Sequence, residues 1–272
     1  MAHPTEKMPK IITVPAVRET KGRRKLTMVT AYDAPSARIV DEAGIDIALV
    51  GDSLGMVIQG RSDTLGVTLE QMVYHTEIVA RSTARALVVG DMPFLTFQIS
   101  DERTIEAAGQ LIRAGAAAVK LEGGGKIAER IRAVTEIGIP VMAHLGLTPQ
   151  SLHQMGGYKV QGRDSLTARR LLDEAKRIQD AGAFAVVLEG MPAPLAGQIT
   201  EQLSIPTIGI GAGLHCDGQV LVFHDLVGLS GDRTPTFVRR YADLRVSAVD
   251  AIKKFKADVE AGKFPSEGES YR

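Results

Sequence analysis

The sequence predicts an α/β fold, a (β/α)8 TIM barrel, and three observations lead there. The first is a repeated phrase. EAGIDIALVGD (42–52), RAGAAAVKLE (113–122), EIGIPVMAHL (136–145) and DAGAFAVVLE (180–189) each join a helix end, a glycine and an apolar run. Such αβ units build a parallel sheet. The second is what the runs end in. IALVGDSLG (47–55) reaches Asp52 and Ser53, ALVVGDMP (86–93) reaches Asp91, and AAVKLEGG (117–124) carries Lys120 and Glu122. PVMAHLG (140–146) holds His144, and AVVLEGM (185–191) ends at Glu189. A parallel barrel gathers such strand ends at one mouth. The third is length: 272 residues suit one barrel, which typically needs about 250. An open doubly wound sheet is the alternative, and right-handed crossovers of eight units favour closure.

Taken in order, residues 1–24 read as a polar N-terminal arm, and the basic run KGRRK (21–25) as a solvated face. Residues 25–272 read as a single barrel domain with a C-terminal helix and tail. The first strand is expected over LTMVTAYD (26–33). Asp33 then caps a helix that carries Pro35 in its first turn and Ala37, Val40 and Ala43 at helical spacing. Gly44, Gly115, Gly138 and Gly182 are expected in the left-handed conformation that ends a helix, which glycine adopts most cheaply. Runs near 206–213 (PTIGIGAG) and 219–226 (QVLVFHDL) bring the strands to eight. Two connections, 54–68 and 146–164, are longer than usual for such folds. Both come after strands, so both belong at the mouth, where they suit loops that cover a ligand. A last helix is expected from about Pro235 to Ala261, with Val246, Val249, Ile252, Phe255 and Val259 along one face to pack on the barrel or on another subunit.

The totals bound the partners. Lys plus Arg equals Asp plus Glu, 32 each, which argues against a strongly basic nucleic-acid binder. Cys216 is the single cysteine; it can form no intrachain disulfide and reads as a small buried hydrophobe. No apolar run reaches the roughly 18 residues of a membrane span, and the N-terminus lacks the apolar core of a signal peptide. A cytoplasmic protein is expected.

Asp52, Asp91 and Glu122 come from neighbouring strands about 4.8 Å apart. Carboxylates so close repel unless protonated or bridged by a cation. All the donors are oxygens, so a hard divalent ion such as Mg²⁺ is the natural bridge; helix capping by each carboxylate is the plainer alternative. Lys120 and Glu122 are two apart on one strand and share a face, as an internal salt bridge or as a cation set to receive a substrate carboxylate. Glu189, expected on the opposite wall in an apolar run, is a candidate general acid or base. His144 is placed to hydrogen-bond an oxygen in the pocket. IGIGAG (208–213) fails as a dinucleotide fingerprint, because Leu214 stands where the third glycine is needed. GGG at 123–125 is read as a tight turn rather than a phosphate cradle. A metal, a cation beside it and a base suit a 2-oxo acid held through its carboxylate and keto oxygens, with the metal stabilising an enolate.

At these residues the sequence resembles the ketopantoate hydroxymethyltransferase family. TAYD (30–33), VGDSLGMVIQG (50–60), DMPF (91–94), VKLEGG (119–124), HLGLTPQS (144–151), GGYKVQGR (156–163), IGIGAG (208–213) and DGQVLVFHD (217–225) look like that family's segments in order. The resemblance implies a (β/α)8 TIM barrel of the phosphoenolpyruvate/pyruvate-like kind and hydroxymethyl transfer from 5,10-methylenetetrahydrofolate to 3-methyl-2-oxobutanoate, giving 2-dehydropantoate for pantothenate and coenzyme A synthesis. It implies Mg²⁺ on Asp52, Asp91 and Glu122, and Glu189 as catalytic proton acceptor. The substrate-binding set it implies is Asp52, Ser53, Asp91, Lys120 and His144. Homo-oligomers, commonly decamers in bacteria, are implied as well, with no membrane or nucleic-acid partner. Three positions depart from the pattern: Gly66 stands where Pro is usual, Glu269 stands where the terminal segment has His, and residues 1–24 carry little of it. Two rival readings remain. One is a Mg²⁺-dependent oxo-acid lyase of the phosphoenolpyruvate/isocitrate lyase kind, which often places a reactive Cys near the mouth, where Cys216 does not fall. The other is a non-catalytic barrel.

Overall fold

A computed structural model describes residues 11–231 and 234–271. The chain forms two compact units, the first ending at Val222 and the second beginning at Phe223. The first unit holds eight parallel strands in a closed barrel ordered β1 to β8. They are β1 (Leu26–Thr30), β2 (Ile47–Val50), β3 (Leu87–Asp91), β4 (Ala118–Glu122), β5 (Val141–Gly146), β6 (Ala185–Glu189), β7 (Thr207–Ile210) and β8 (Gly218–Leu221). β1 closes the ring on β8 by pairing Leu26 with Gly218 and Val29 with Leu221. The strands are almost wholly buried, as their apolar runs require when helices cover the outside.

The helices of this unit are α1 (Val14–Arg18), α2 (Ala34–Glu42), α3 (Leu54–Val57), α4 (Leu69–Ser82), α5 (Asp101–Arg113), α6 (Ile127–Glu136), α7 (Leu152–Met155), α8 (Ser165–Asp180) and α9 (Ala193–Gln202). Asp33 caps α2 as expected: its carboxylate accepts from the Ser36 N–H at 2.8 Å, and the Ser36 hydroxyl accepts from the Asp33 N–H. Gly44, Gly115, Gly138 and Gly182 all have positive φ, +77°, +102°, +87° and +101°, so the repeated phrase is a helix stop in each case. The two long connections hold α3 and α7, and Thr68 at the end of the first caps α4.

Four expectations are corrected. β1 stops at Thr30 and does not reach Asp33, since Tyr32 and Asp33 already spend their N–H groups on the Ser36 hydroxyl. β7 and β8 are shorter than the runs 206–213 and 219–226, and residues 211–217 return between them with no helix. The FHDL end of the last run belongs to α10 (Phe223–Leu226). The basic run is not simply solvated. Lys21 Nζ donates to the Thr200 carbonyl at 2.6 Å and to Asp217 at 2.7 Å, Arg24 pairs with both oxygens of Asp46, and Lys25 reaches the Cys216 carbonyl. The carboxylates at the barrel's N-terminal end need these cations. Val17 of α1 is buried in the barrel's core cluster with Leu26, Met28, Ile47 and Val220, and Ile12 and Val14 pack against it.

In the second unit the last helix, α11, runs over Leu244–Glu260 and not from Pro235. The N–H groups of Tyr241, Leu244 and Arg245 are spent on the carbonyls of Leu226, Val227 and Gly228, which holds the preceding segment out of helix. None of α11's residues is buried, and Val246, Val249, Ile252, Phe255 and Val259 are all exposed. Glu269 accepts from the Ser266 N–H at 2.8 Å and completes a capping box on the short 3-10 turn Glu267–Glu269. Among the described residues no helix is long and apolar enough to cross a membrane.

Candidate active site

Strand register brings the site together. Asp91 on β3 stands level with Lys120 on β4, Glu122 level with His144 on β5, and Gly146 level with Glu189 on β6. Asp52 and Ser53 lie just past β2, beyond Gly51. A Cβ on Gly51 would sit 2.7 Å from Ser53 Oγ, so a larger residue there would push the Ser53 hydroxyl aside. Asp52, Asp91, Lys120, Glu122 and His144 are all buried, and the Glu189 side chain is 15% exposed.

The contacts form one connected set. Lys120 Nζ lies 2.5 Å from Asp91 Oδ1, 3.9 Å from Glu122 Oε1 and 3.5 Å from His144 Nδ1. His144 Nδ1 lies 3.3 Å from Glu122 Oε1, and its Nε2 lies 3.2 Å from Glu189 Oε2. Asp91 Oδ2 accepts from the Asp52 N–H at 3.2 Å. Ser53 Oγ shares a 2.7 Å hydrogen bond with the hydroxyl of Tyr32, which is fully buried. Glu189, at the end of β6, stands four strands round the ring from Asp52 beyond β2, and only two from Glu122 on β4. β5 alone separates β4 from β6, and His144 spans that one strand.

The electrostatics come from burial. Asp52 is pushed well above the usual carboxylate range by desolvation and by Glu122 and Asp91, against the pull of Lys120 and Gln150. Burial works against the charged forms of Lys120 and His144. For Lys120 it is outweighed by Asp91, Glu122 and Asp52, so the ammonium is held charged. For His144, Glu122 and Glu189 overcome both burial and Lys120, and the imidazole rises to about 9. Burial also opposes ionisation of Glu122, but His144 and Lys120 hold it below its ordinary value.

A metal fits the donor chemistry. Three carboxylates face one buried ammonium, and the rise at Asp52 is what an uncompensated negative charge produces in a dry pocket. A hard divalent cation takes oxygen donors of this kind. Among the described residues no three His, Cys, Asp or Glu side chains already form a closed metal cluster. Lys120 bridges Asp91 and Glu122, and Gln150 bridges Asp52 and Glu122.

Two participants were not evident in the sequence. Tyr32 lies beyond β1 and looks like core. Gln150 sits in a short 3-10 turn, Pro149–Ser151, within the long connection after β5. A search for ionisable residues at strand ends passes over a neutral amide in a loop. The motifs set aside stay aside. Gly124 backs onto the Glu174 carboxylate, a poor setting for phosphate. Cys216 is fully buried two residues before β8, at the end of the barrel away from the acids, and burial raises its thiol.

Fold and site together define a (β/α)8 barrel enzyme with its acid–base groups packed at the carboxyl ends of β2 to β6. Solved barrels of this shape include 2,3-dimethylmalate lyase of the PEP mutase/isocitrate lyase superfamily, with TM-score 0.60 and 19% identity over 94% of this chain and 91% of that one. Another is phosphonopyruvate hydrolase in complex with oxalate and Mg²⁺, with TM-score 0.61 and 14% identity over 94% and 92%. At such identities they establish the architecture.

Sequence comparison goes further. The profile described as ketopantoate hydroxymethyltransferase matches residues 11–267, and the chain belongs to that family. The 3-methyl-2-oxobutanoate hydroxymethyltransferase of Geobacter metallireducens is 55% identical over 91% of this chain and 93% of its own. That of Pelobacter propionicus is 52% identical over 97% and 98%. The reaction is the hydroxymethylation of 3-methyl-2-oxobutanoate, a step of pantothenate biosynthesis.

Proposed function

We propose that this barrel takes its one-carbon unit from 5,10-methylenetetrahydrofolate, works with Mg²⁺, and uses Glu189 as the base that removes the C3 proton of 3-methyl-2-oxobutanoate. The observation that carries the reading is the continuous set Asp52–Gln150–Glu122–His144–Glu189, which puts an acid cluster and a partly exposed carboxylate on either side of one charged imidazole. Asp52, Asp91 and Glu122 would hold the ion, and Ser53, Lys120 and His144, with Asp52 and Asp91, would line the oxo-acid site. Bound there, Mg²⁺ supplies Lewis acidity toward the carboxylate and keto oxygens of the substrate.

The chain's own groups account for the rest. Lys120 offsets the carboxylates and offers an ammonium to the substrate carboxylate. Tyr32 fixes the Ser53 hydroxyl. His144 faces Glu189 with its ring Nε2 at 3.2 Å and holds the carboxylate in place. Water adds its oxygen to the methylene carbon of the folate as both C–N bonds break, which frees tetrahydrofolate and leaves a one-carbon unit at the formaldehyde level. Glu189 takes the C3 proton, the resulting enolate carbon adds to that carbon, and the C=O π pair takes a proton back from Glu189 to become the new hydroxyl. We place the enzyme in the cytoplasm and expect a homo-oligomer, a decamer as the family resemblance implies; the exposed apolar face of α11 supports association.

The experiment is product formation from 3-methyl-2-oxobutanoate and methylenetetrahydrofolate, with Mg²⁺ and then with EDTA. Product only with both metal and folate is expected. Metal-dependent deuterium exchange at C3 without product would keep the proton chemistry and overturn the donor. Undiminished turnover in EDTA would overturn the metal.

A further inference from the structure

We propose that Gln150 is a positioning residue that sets which oxygens of Asp52 and Glu122 are presented to the incoming divalent cation. The inference rests on the metal reading above and adds to it a residue that carries no charge. Gln150 is 6% exposed and engages both carboxylates at once. Its backbone N–H donates to Glu122 Oε2 at 3.1 Å, and its side-chain Nε2 donates to Asp52 Oδ2 at 2.9 Å. The same nitrogen donates to the Met92 carbonyl at 2.9 Å, one residue beyond Asp91. From the connection after β5, one residue therefore touches the ends of β2, β3 and β4.

The amide's orientation is fixed by its partners. Gln98 Nε2 donates to Gln150 Oε1 at 3.1 Å. Turning the amide over would set two nitrogens face to face and aim its oxygen at a carboxylate and a carbonyl, with no proton between them. Gln98 is set in turn, because its own oxygen accepts from the Phe97 N–H. The relay ends on Asp52 Oδ2, and Asp52 Oδ1 accepts no hydrogen bond from any described residue. On Glu122 the engaged oxygen is Oε2, while Oε1 faces His144 and Lys120. The terminal torsion of a carboxylate is soft, so a donor locked to one oxygen decides where the other points. Groups that orient metal-bound carboxylates in this way commonly matter about 10–100-fold in metal affinity.

A plain loop staple would make the same contacts, so the test must separate the two roles. Gln150→Met keeps the length of the side chain and removes its donors. Mn²⁺ binding to the substrate-free protein, monitored by electron paramagnetic resonance, is expected to weaken about 10–100-fold. Turnover is expected to recover when Mg²⁺ is raised to saturation. Gln98→Leu, at a partly exposed position outside the acids, is expected to weaken Mn²⁺ binding in the same direction by less, and it reads the relay if Gln150→Met fails to fold. Wild-type Mn²⁺ affinity in both variants would overturn the proposal. So would a loss of turnover that saturating metal does not restore. If the wild-type chain binds no Mn²⁺, the metal reading falls and this inference falls with it.

Discussion

At the scale of single residues, the site divides into groups that chemistry makes conspicuous and groups that it hides. Glu189→Gln keeps the shape and removes the base, so substrate binding should persist while C3 deuterium exchange slows by about 10²–10⁴-fold; exchange at the wild-type rate would assign the proton to another group. Asp46 offers a test away from the mouth. Burial alone would raise its carboxyl, but the Arg24 guanidinium and the Thr27 amide and hydroxyl outweigh it and hold it low. A lowered folded value means that the stabilisation is complete at neutral pH and is lost as pH falls from about 3.9 through the folded value. Asp46→Asn should therefore cost about 1–3 kcal/mol at pH 7, and the gap should close on acidification; an equal gap at pH 2.5 would contradict it. The ionisable members of the site were legible because acids, a lysine and a histidine at successive strand ends are costly to bury without purpose. Tyr32 and Gln150 were not, since a neutral hydroxyl or amide leaves no charge to balance. The link from Glu122 to Glu189 was not legible either, because only register shows that one histidine can span from β4 to β6.

At the scale of elements, glycine was the most readable residue and the ends of strands the least. Gly138 and Gly146 make the point together. Both have positive φ, +87° and +96°, but a Cβ on Gly138 meets nothing within 4 Å, whereas one on Gly146 runs into the backbone oxygen of Glu189. Gly138→Ala should cost roughly 1 kcal/mol of strain and leave turnover alone. Gly146→Ala should cost at least as much and also lower kcat, because β6 must yield beside Glu189. Equal kcat in the two variants would show that the strand end tolerates displacement. The stops after α2, α5, α6 and α8 were legible because each needs a left-handed residue at a fixed place. The start of α11 was not, because the N–H groups that delay it are bonded to residues 226–228, and no local pattern announces a distant acceptor. The return between β7 and β8 was missed for a similar reason: an apolar run marks that a strand exists and says little about the path the chain takes after it.

At the scale of the whole molecule, the closed barrel was legible from its repeat, but the use of the arm was not. A run of five residues with four cations reads as solvated until the buried carboxylates Asp46 and Asp217 are seen to need partners. Val17→Ala should destabilise the fold by about 2 kcal/mol in urea unfolding and leave kcat per folded molecule unchanged, because Val17 lies at the end away from the acids; a fall in kcat would mean that the two ends communicate. The closure of β1 on β8 has a further consequence, for the making of the protein on the ribosome. Strands β1 to β7 each pair with the next strand to be synthesised, so the wall that carries the acids can form as the chain emerges. Leu26 must wait for Gly218, about 190 residues later, before the ring can shut. Until then the first strand and the newest one are both open edges, ready templates for a neighbouring nascent chain.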